Sequence, residues 1–176
     1  MSNSRLAEHL TRFLGAGAEV EQLARNVKLW RYQRGEFVSF ATQGLSDLDV
    51  AALKPQELVC SVLLGQDGAA AYLVKAMLDQ IIELDRGLLV DQIIPGKTPI
   101  LDRTNIFGLL ATSHPYLDDP FNLVTDAEDT ILIQIVTLLP LTEAEVRLGE
   151  KAGLDALIDA IEESDPPVLD VTRPSV

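Results

Sequence analysis

The chain has 176 residues and a mass of 19.2 kDa, enough for one domain with a sizeable core and little room for two. Its hydrophobic fraction of 47% and mean hydropathy of +0.17 exclude a disordered chain. With 27 acidic against 14 basic residues, a net charge of −13 and a pI near 4.4, it would repel a phosphate backbone, which sets nucleic acid aside as a partner.

The charge is lopsided: residues 1–88 carry a net of −2 and residues 89–176 a net of −11. The second half therefore presents the acidic surface, which serves solubility and can also steer a basic partner. No window reaches the roughly 18 consecutive apolar residues that a membrane span needs. The opening MSNSRLAEHLTRF mixes charges into its apolar residues, unlike a signal peptide, so a cytoplasmic protein without membrane contact is expected.

In chain order, RLAEHLTRFL (5–14) sets Leu6, Leu10, Phe13 and Leu14 on one helical stripe, with Gly15 and Gly17 as a stop. Residues 1–26 are thus expected to form a helix and a connector. Residues 27–33 and 36–42, joined through Arg34 and Gly35, predict a hairpin. Its aromatics, Trp30, Tyr32, Phe37 and Phe40, are read as packing residues rather than a binding platform.

After a polar segment, ELVCSVLL (57–64) predicts a buried strand. Cys60 lies inside it as a small hydrophobe, since a lone cysteine forms no internal disulfide. GQDG leads into a helix over 69–84, where Ala70, Leu73, Val74, Met77, Ile81 and Leu84 recur at helical spacing and Gly87 provides the stop. The loop lacks the lysine of a phosphate-binding loop, and Asp67 would repel a phosphate.

Residues 88–103, rich in proline, predict a short strand in a long loop, and NIFGLLAT (105–112) predicts another strand. The loop SHPYLDDPFNLVTDAED follows. Its acids Asp118, Asp119, Asp126, Glu128 and Asp129, close to His114, invite a metal reading, but their spacing fits neither a calcium loop nor a zinc histidine pair. They are read as turn formers and solvated surface. The two histidines are read just as plainly, His9 on the polar side of the first helix and His114 as a turn residue before Pro115.

TILIQIVTLL (130–139), apolar on both alternations, predicts a central strand covered on both faces. Pro140 is expected to end its pairing. Thr142 and Glu145 then form a capping box, with Leu141 and Val146 as its hydrophobic staple. Gly153 breaks the helix, and Leu154, Leu157, Ile158 and Ile161 start a second stripe while Asp155, Asp159, Glu162 and Glu163 face water. The proline-rich tail is expected to be extended. The sequence holds no serine nucleophile elbow, paired cysteines or Gly-rich dinucleotide fingerprint.

Taken together, TQGLSD after an aromatic strand, LLPLTEAEVRLGEKAGLDALIDAIEE and the ending VLDVTRPSV resemble the suppressor of fused domain. ELVCSVLL, the long helix, the proline-rich loop and NIFGLLATSHPYLDDPF fall between them in the same order. The resemblance covers residues 27–176 and is poorest over 1–26, where NVKLWRYQ replaces the histidine-containing strand of many relatives. It implies an α+β single domain with a central mixed β-sheet flanked by α-helices, no cofactor and no enzymatic activity.

Animal relatives sequester a transcription factor through an extended peptide, and short bacterial ones look like immunity proteins of toxin systems. The resemblance and the acidic second half together lead to an expected function. The chain would be a cytoplasmic protein-binding domain that neutralises a basic toxin domain, through Asp118, Asp119, Asp126, Glu128 and Asp129. The alternative is a regulator or scaffold holding a peptide or transcription factor, and the rival class is a carboxylate-based, metal-dependent enzyme. The motif residues Thr42, Gly44, Leu45, Ser46, Asp47, Pro140, Thr142 and Glu145 are expected to mark the fold, through turn and capping roles.

Overall fold

Residues 2–175, the part of the chain that the computed structural model describes, begin with α1 (Ser2–Leu14), β1 (Ala16–Gln22), β2 (Lys28–Arg34), β3 (Phe37–Gln43) and β4 (Gln56–Leu63). Then come α2 (Asp67–Leu84), β5 (Gln92–Pro95), β6 (Ile106–Thr112), β7 (Leu123–Thr125), β8 (Ile131–Thr142), α3 (Glu143–Ala152) and α4 (Leu154–Ser164). The strands form one open sheet in the order β1-β2-β3-β4-β8-β6-β5, with β7 also on β8. Only β4 and β8 pair in parallel, so the sheet is mixed and the fold is α+β.

The two alternations of β8 explain the layers, because successive side chains of a strand leave opposite faces. Val136 and Leu138 join Val38, Phe40, Leu58, Cys60 and Val62 under α2. That helix buries Ala70, Leu73, Val74, Met77, Leu78 and Ile81, one stripe at helical spacing. Ile133, Ile135, Leu139 and Leu141 leave the other face. The first two meet Leu6, Leu10 and Leu14 of α1 together with Tyr32, Ala41 and Val59. The last two meet Leu110, Val146 of α3 and Leu157 of α4.

The expected central strand is therefore central and covered on both sides. The hairpin stands, with its turn at Gly35 and Glu36, one residue beyond the expected place. Of its aromatics, Tyr32 and Phe40 are core residues, and Trp30 is partly buried and stacks on Tyr32 with ring centroids 6.3 Å apart. Cys60 is fully buried, which pushes its thiol up to about 12.

Four local expectations are corrected. The connector after α1 holds β1, an edge strand whose seven residues are all exposed, so no apolar alternation announces it. β7 is three residues long, too short to carry a period. α2 starts at Asp67 and ends in a left-handed Asp85 (φ 50°), so Gly87 is not its stop.

Pro140 is the fourth. It sits within β8 opposite Leu109. Its carbonyl accepts Arg173 Nη2 at 3.1 Å, and a strand residue turns its amide and carbonyl to the same side. The donor that proline lacks thus points away from β6, and pairing continues to Thr142.

Candidate functional site

The motif TQGLSD closes around one side chain from the neighbouring strand. Glu57, at the start of β4, has no exposed surface. Its Oε1 accepts the Gly44 amide at 2.9 Å, the Ser46 amide at 3.0 Å and the Ser46 hydroxyl at 2.7 Å. Its Oε2 accepts the Thr42 hydroxyl at 2.6 Å and the Leu45 amide at 3.3 Å. Thr42 Oγ1 in turn accepts the Leu58 amide at 2.8 Å, which locks its rotor.

Gly44 is left-handed (φ 108°), the conformation that turns the amides of 44–46 inward as a nest. Burial raises the Glu57 carboxyl above its ordinary range while the hydroxyls of Thr42 and Ser46 and the amides of Ser46 and Gly44 pull it back. Asp47 ends the 3₁₀ turn and stays exposed. The motif is the cradle of a buried acid rather than a cap.

The second motif does the same with an ion pair. Glu145 Oε2 accepts the Thr142 amide at 2.7 Å, the glutamate arm of the expected capping box. Both its oxygens also face Arg173 of the tail, Nη1 at 2.5 Å to Oε1 and Nη2 at 2.7 Å to Oε2. Both side chains are 0% exposed. Capping alone therefore does not account for Glu145, and the tail is not merely extended. It is pinned beside the end of β8 by a bidentate, fully buried pair.

His114 is a core residue, not a turn residue. It is 4% exposed and its Nε2 lies 2.9 Å from Ser61 Oγ, which lies 2.6 Å from Ser39 Oγ. The Tyr116 amide donates to Nδ1 at 3.2 Å, so Nδ1 carries no proton and Nε2 is the donor to Ser61. Burial holds the imidazole down at about 4.

A serine beside a histidine invites a hydrolytic reading. Here the second ring nitrogen faces an N–H donor instead of an orienting carboxylate, and Ser61 is 2% exposed, so neither orientation nor access fits a nucleophile. His9, half-buried, bonds the Phe121 carbonyl at 2.8 Å, and burial lowers its pKa.

The five acids proposed for partner contact lie between β6 and β8 but divide into two groups around β7. Asp118 and Asp119 begin a 3₁₀ turn and are exposed. Asp126 accepts the Thr130 amide at 2.8 Å and the Glu128 amide at 2.9 Å; those bonds, with Thr130's the larger, hold its carboxyl below the usual range. Glu128 and Asp129 are exposed, the latter left-handed at φ 61°. Asp126 is thus the turn former of the set, and the other four project charge. Among the described residues no group of three His, Cys, Asp or Glu side chains is placed to hold a metal.

Sequence reasoning singled out Thr42, Gly44, Ser46 and Glu145 for turn and capping roles and did not single out Glu57, Arg173 or Ser61. The signal for Glu57 was an acid opening the apolar run 57–64, and that for Arg173 was the one base in a tail of prolines and acids.

The architecture is thus an open mixed sheet with helices on both faces, in which Thr42, Gly44, Ser46 and Thr142 are engaged around buried carboxylates. The chain belongs to the suppressor of fused protein (SUFU) family, whose model matches residues 26–174. A homologue from Neisseria gonorrhoeae FA 1090 shares 17% identity with a TM-score of 0.65, over 98% of this chain and 95% of that one.

The Sufu–Fu complex gives 10% identity and a TM-score of 0.70, over 98% of this chain and 91% of that one. Drosophila Suppressor of Fused gives 10% and 0.65 over 99% of this chain, which spans 50% of the fly protein's chain. No curated protein matches this chain. Among the described residues no helix is long and apolar enough to cross a membrane.

Proposed function

We propose that this chain is a non-enzymatic, cytoplasmic binding protein that neutralises a basic toxin domain by occupying it. One observation carries the reading: a chain with the family scaffold bears a net charge of −11 on its second half. The exposed Asp118, Asp119, Glu128 and Asp129 make the charged contact, and Asp126 holds the loop that presents two of them. A relative crystallised as the Sufu–Fu complex supports protein binding, and it favours a second reading in which the partner is a regulatory protein rather than a toxin.

The test is capture from a lysate on the purified, tagged chain at about 0.1 M and about 1 M salt, between which the Debye length falls from about 10 Å to about 3 Å. A basic toxin domain retained only at low salt is expected, and its loss should follow replacement of Asp118, Asp119, Glu128 and Asp129 by Asn or Gln. Retention of nothing at either salt overturns the binding reading. A captured partner indifferent to the four substitutions overturns the assignment of the loop.

A further inference from the structure

On the sheet face shared by α1, α3 and α4, a groove of about 350 Å³ opens between α4 and the loop after β6. Its floor is apolar, formed by Leu110, Leu139, Ile161 and Val168. Leu110, Leu139 and Val168 are core residues of the cluster under α3 and α4, so the floor is rigid. Its rim is acidic: Glu162 and Asp165 line it from the last turn of α4 and the residue beyond, both exposed. Tyr116, 55% exposed, stands among the lining residues contributed by the loop.

The electrostatics of this rim are unresolved within the chain. The C-terminal end of a helix carries partial negative charge and is stabilised by cations. α4 ends instead in Glu162 and Glu163, with no basic residue in its last turn. From Leu154 to Asp165 the sequence has five acids and no base, and among the described residues none of the five takes part in a salt bridge. An apolar floor beside uncompensated negative charge and an exposed aromatic ring is complementary to one kind of side-chain pair. An aliphatic residue fills the floor, and an adjacent arginine meets Glu162, Asp165, the helix end and the face of Tyr116.

The geometry points to this groove as the docking site for a partner segment carrying an aliphatic residue next to an arginine. This rests on the protein-binding reading and adds the chemistry of the segment bound. It places recognition on α4 as well as on the loop 118–129.

The probe is the peptide acetyl-Gly-Ser-Leu-Arg-Ser-Gly-amide, titrated into the ¹⁵N-labelled full chain and followed by amide chemical shifts. Saturable shifts at Tyr116, Ile158, Ile161, Glu162 and Asp165 are expected. The dissociation constant should rise about fivefold, the size two exposed ion pairs supply, for the double variant Glu162→Gln, Asp165→Asn. A similar loss should follow replacement of the peptide's arginine by glutamine or its leucine by serine.

Both substitutions keep the fold, since each side chain is exposed and asparagine suits the left-handed Asp165 (φ 42°). Shifts that map elsewhere, or that ignore these changes, overturn the inference. So does movement of the same amides on concentrating the protein alone, which would make a second copy the occupant. Any of these leaves the binding reading standing, because capture from lysate decides that separately.

Discussion

His114 provides the sharpest test of the interior. Its ring is held neutral at about 4 against an ordinary 6.5, because burial removes the water that would solvate a charge. The geometry agrees: a proton added at Nδ1 would meet the Tyr116 amide, itself a donor 3.2 Å away. In the unfolded chain the same imidazole takes up its proton near pH 6.5. Between pH 6.5 and pH 4 the unfolded state therefore binds the proton that the folded state refuses, so stability is full above 6.5 and declines as pH falls.

The whole window corresponds to about 3 kcal/mol at 1.36 kcal/mol per pKa unit, and the part between pH 7 and pH 5 to about 2 kcal/mol. The upper part is the one to measure, because the pI of 4.4 invites precipitation below it. Urea unfolding of the wild type and of His114→Gln at pH 7, 6 and 5 isolates the effect, since both chains share their carboxylates. The wild type should lose about 2 kcal/mol more than the variant between the two ends. Parallel losses would refute the claim that His114 is held neutral by the fold.

Two further substitutions probe the motifs. Arg173→Leu leaves Glu145 as a buried, unpaired charge and should cost about 3–5 kcal/mol in urea unfolding, while the double variant with Glu145→Leu should regain part of that loss. Equal destabilisation by single and double variants would deny the pair its coupling. Gly44→Ala should cost about 1–2 kcal/mol for the left-handed backbone alone, since its Cβ would meet nothing closer than 3.5 Å. An unchanged unfolding midpoint would mean the turn relaxes without cost.

What could be read from the sequence was what repeats. β8 is long and apolar on both alternations, and α2 keeps one stripe through Leu73, Val74, Met77 and Ile81, so period and length fixed both. The break at Gly153 and the pairing of Thr142 with Glu145 are local and were equally plain. β1 stayed invisible because an edge strand exposed on every residue has no apolar side to alternate. Pro140 misled because its missing donor matters only if it points at a neighbouring strand, and direction is a property of the sheet. Glu57 and Arg173 were hidden for another reason: both find their partners far along the chain, Arg173 28 residues from Glu145, where no spacing rule reaches.

The way the motifs are used also bears on where recognition can reside. Thr42, Gly44 and Ser46 spend their donors on Glu57, and the Thr142 amide and the two terminal nitrogens of Arg173 are directed at Glu145. Both acids are fully buried, so none of these groups is free to choose a partner. Residues that identify the family therefore cannot tell one member's partner from another's. Discrimination falls to exposed groups outside the motifs, where binding costs no disruption of the core. Under the binding reading proposed above, those are the exposed acids around β7 and at the end of α4. A rigid sheet fixes both against a common face of β8, so a basic surface can meet the loop while an arginine-bearing segment meets the groove.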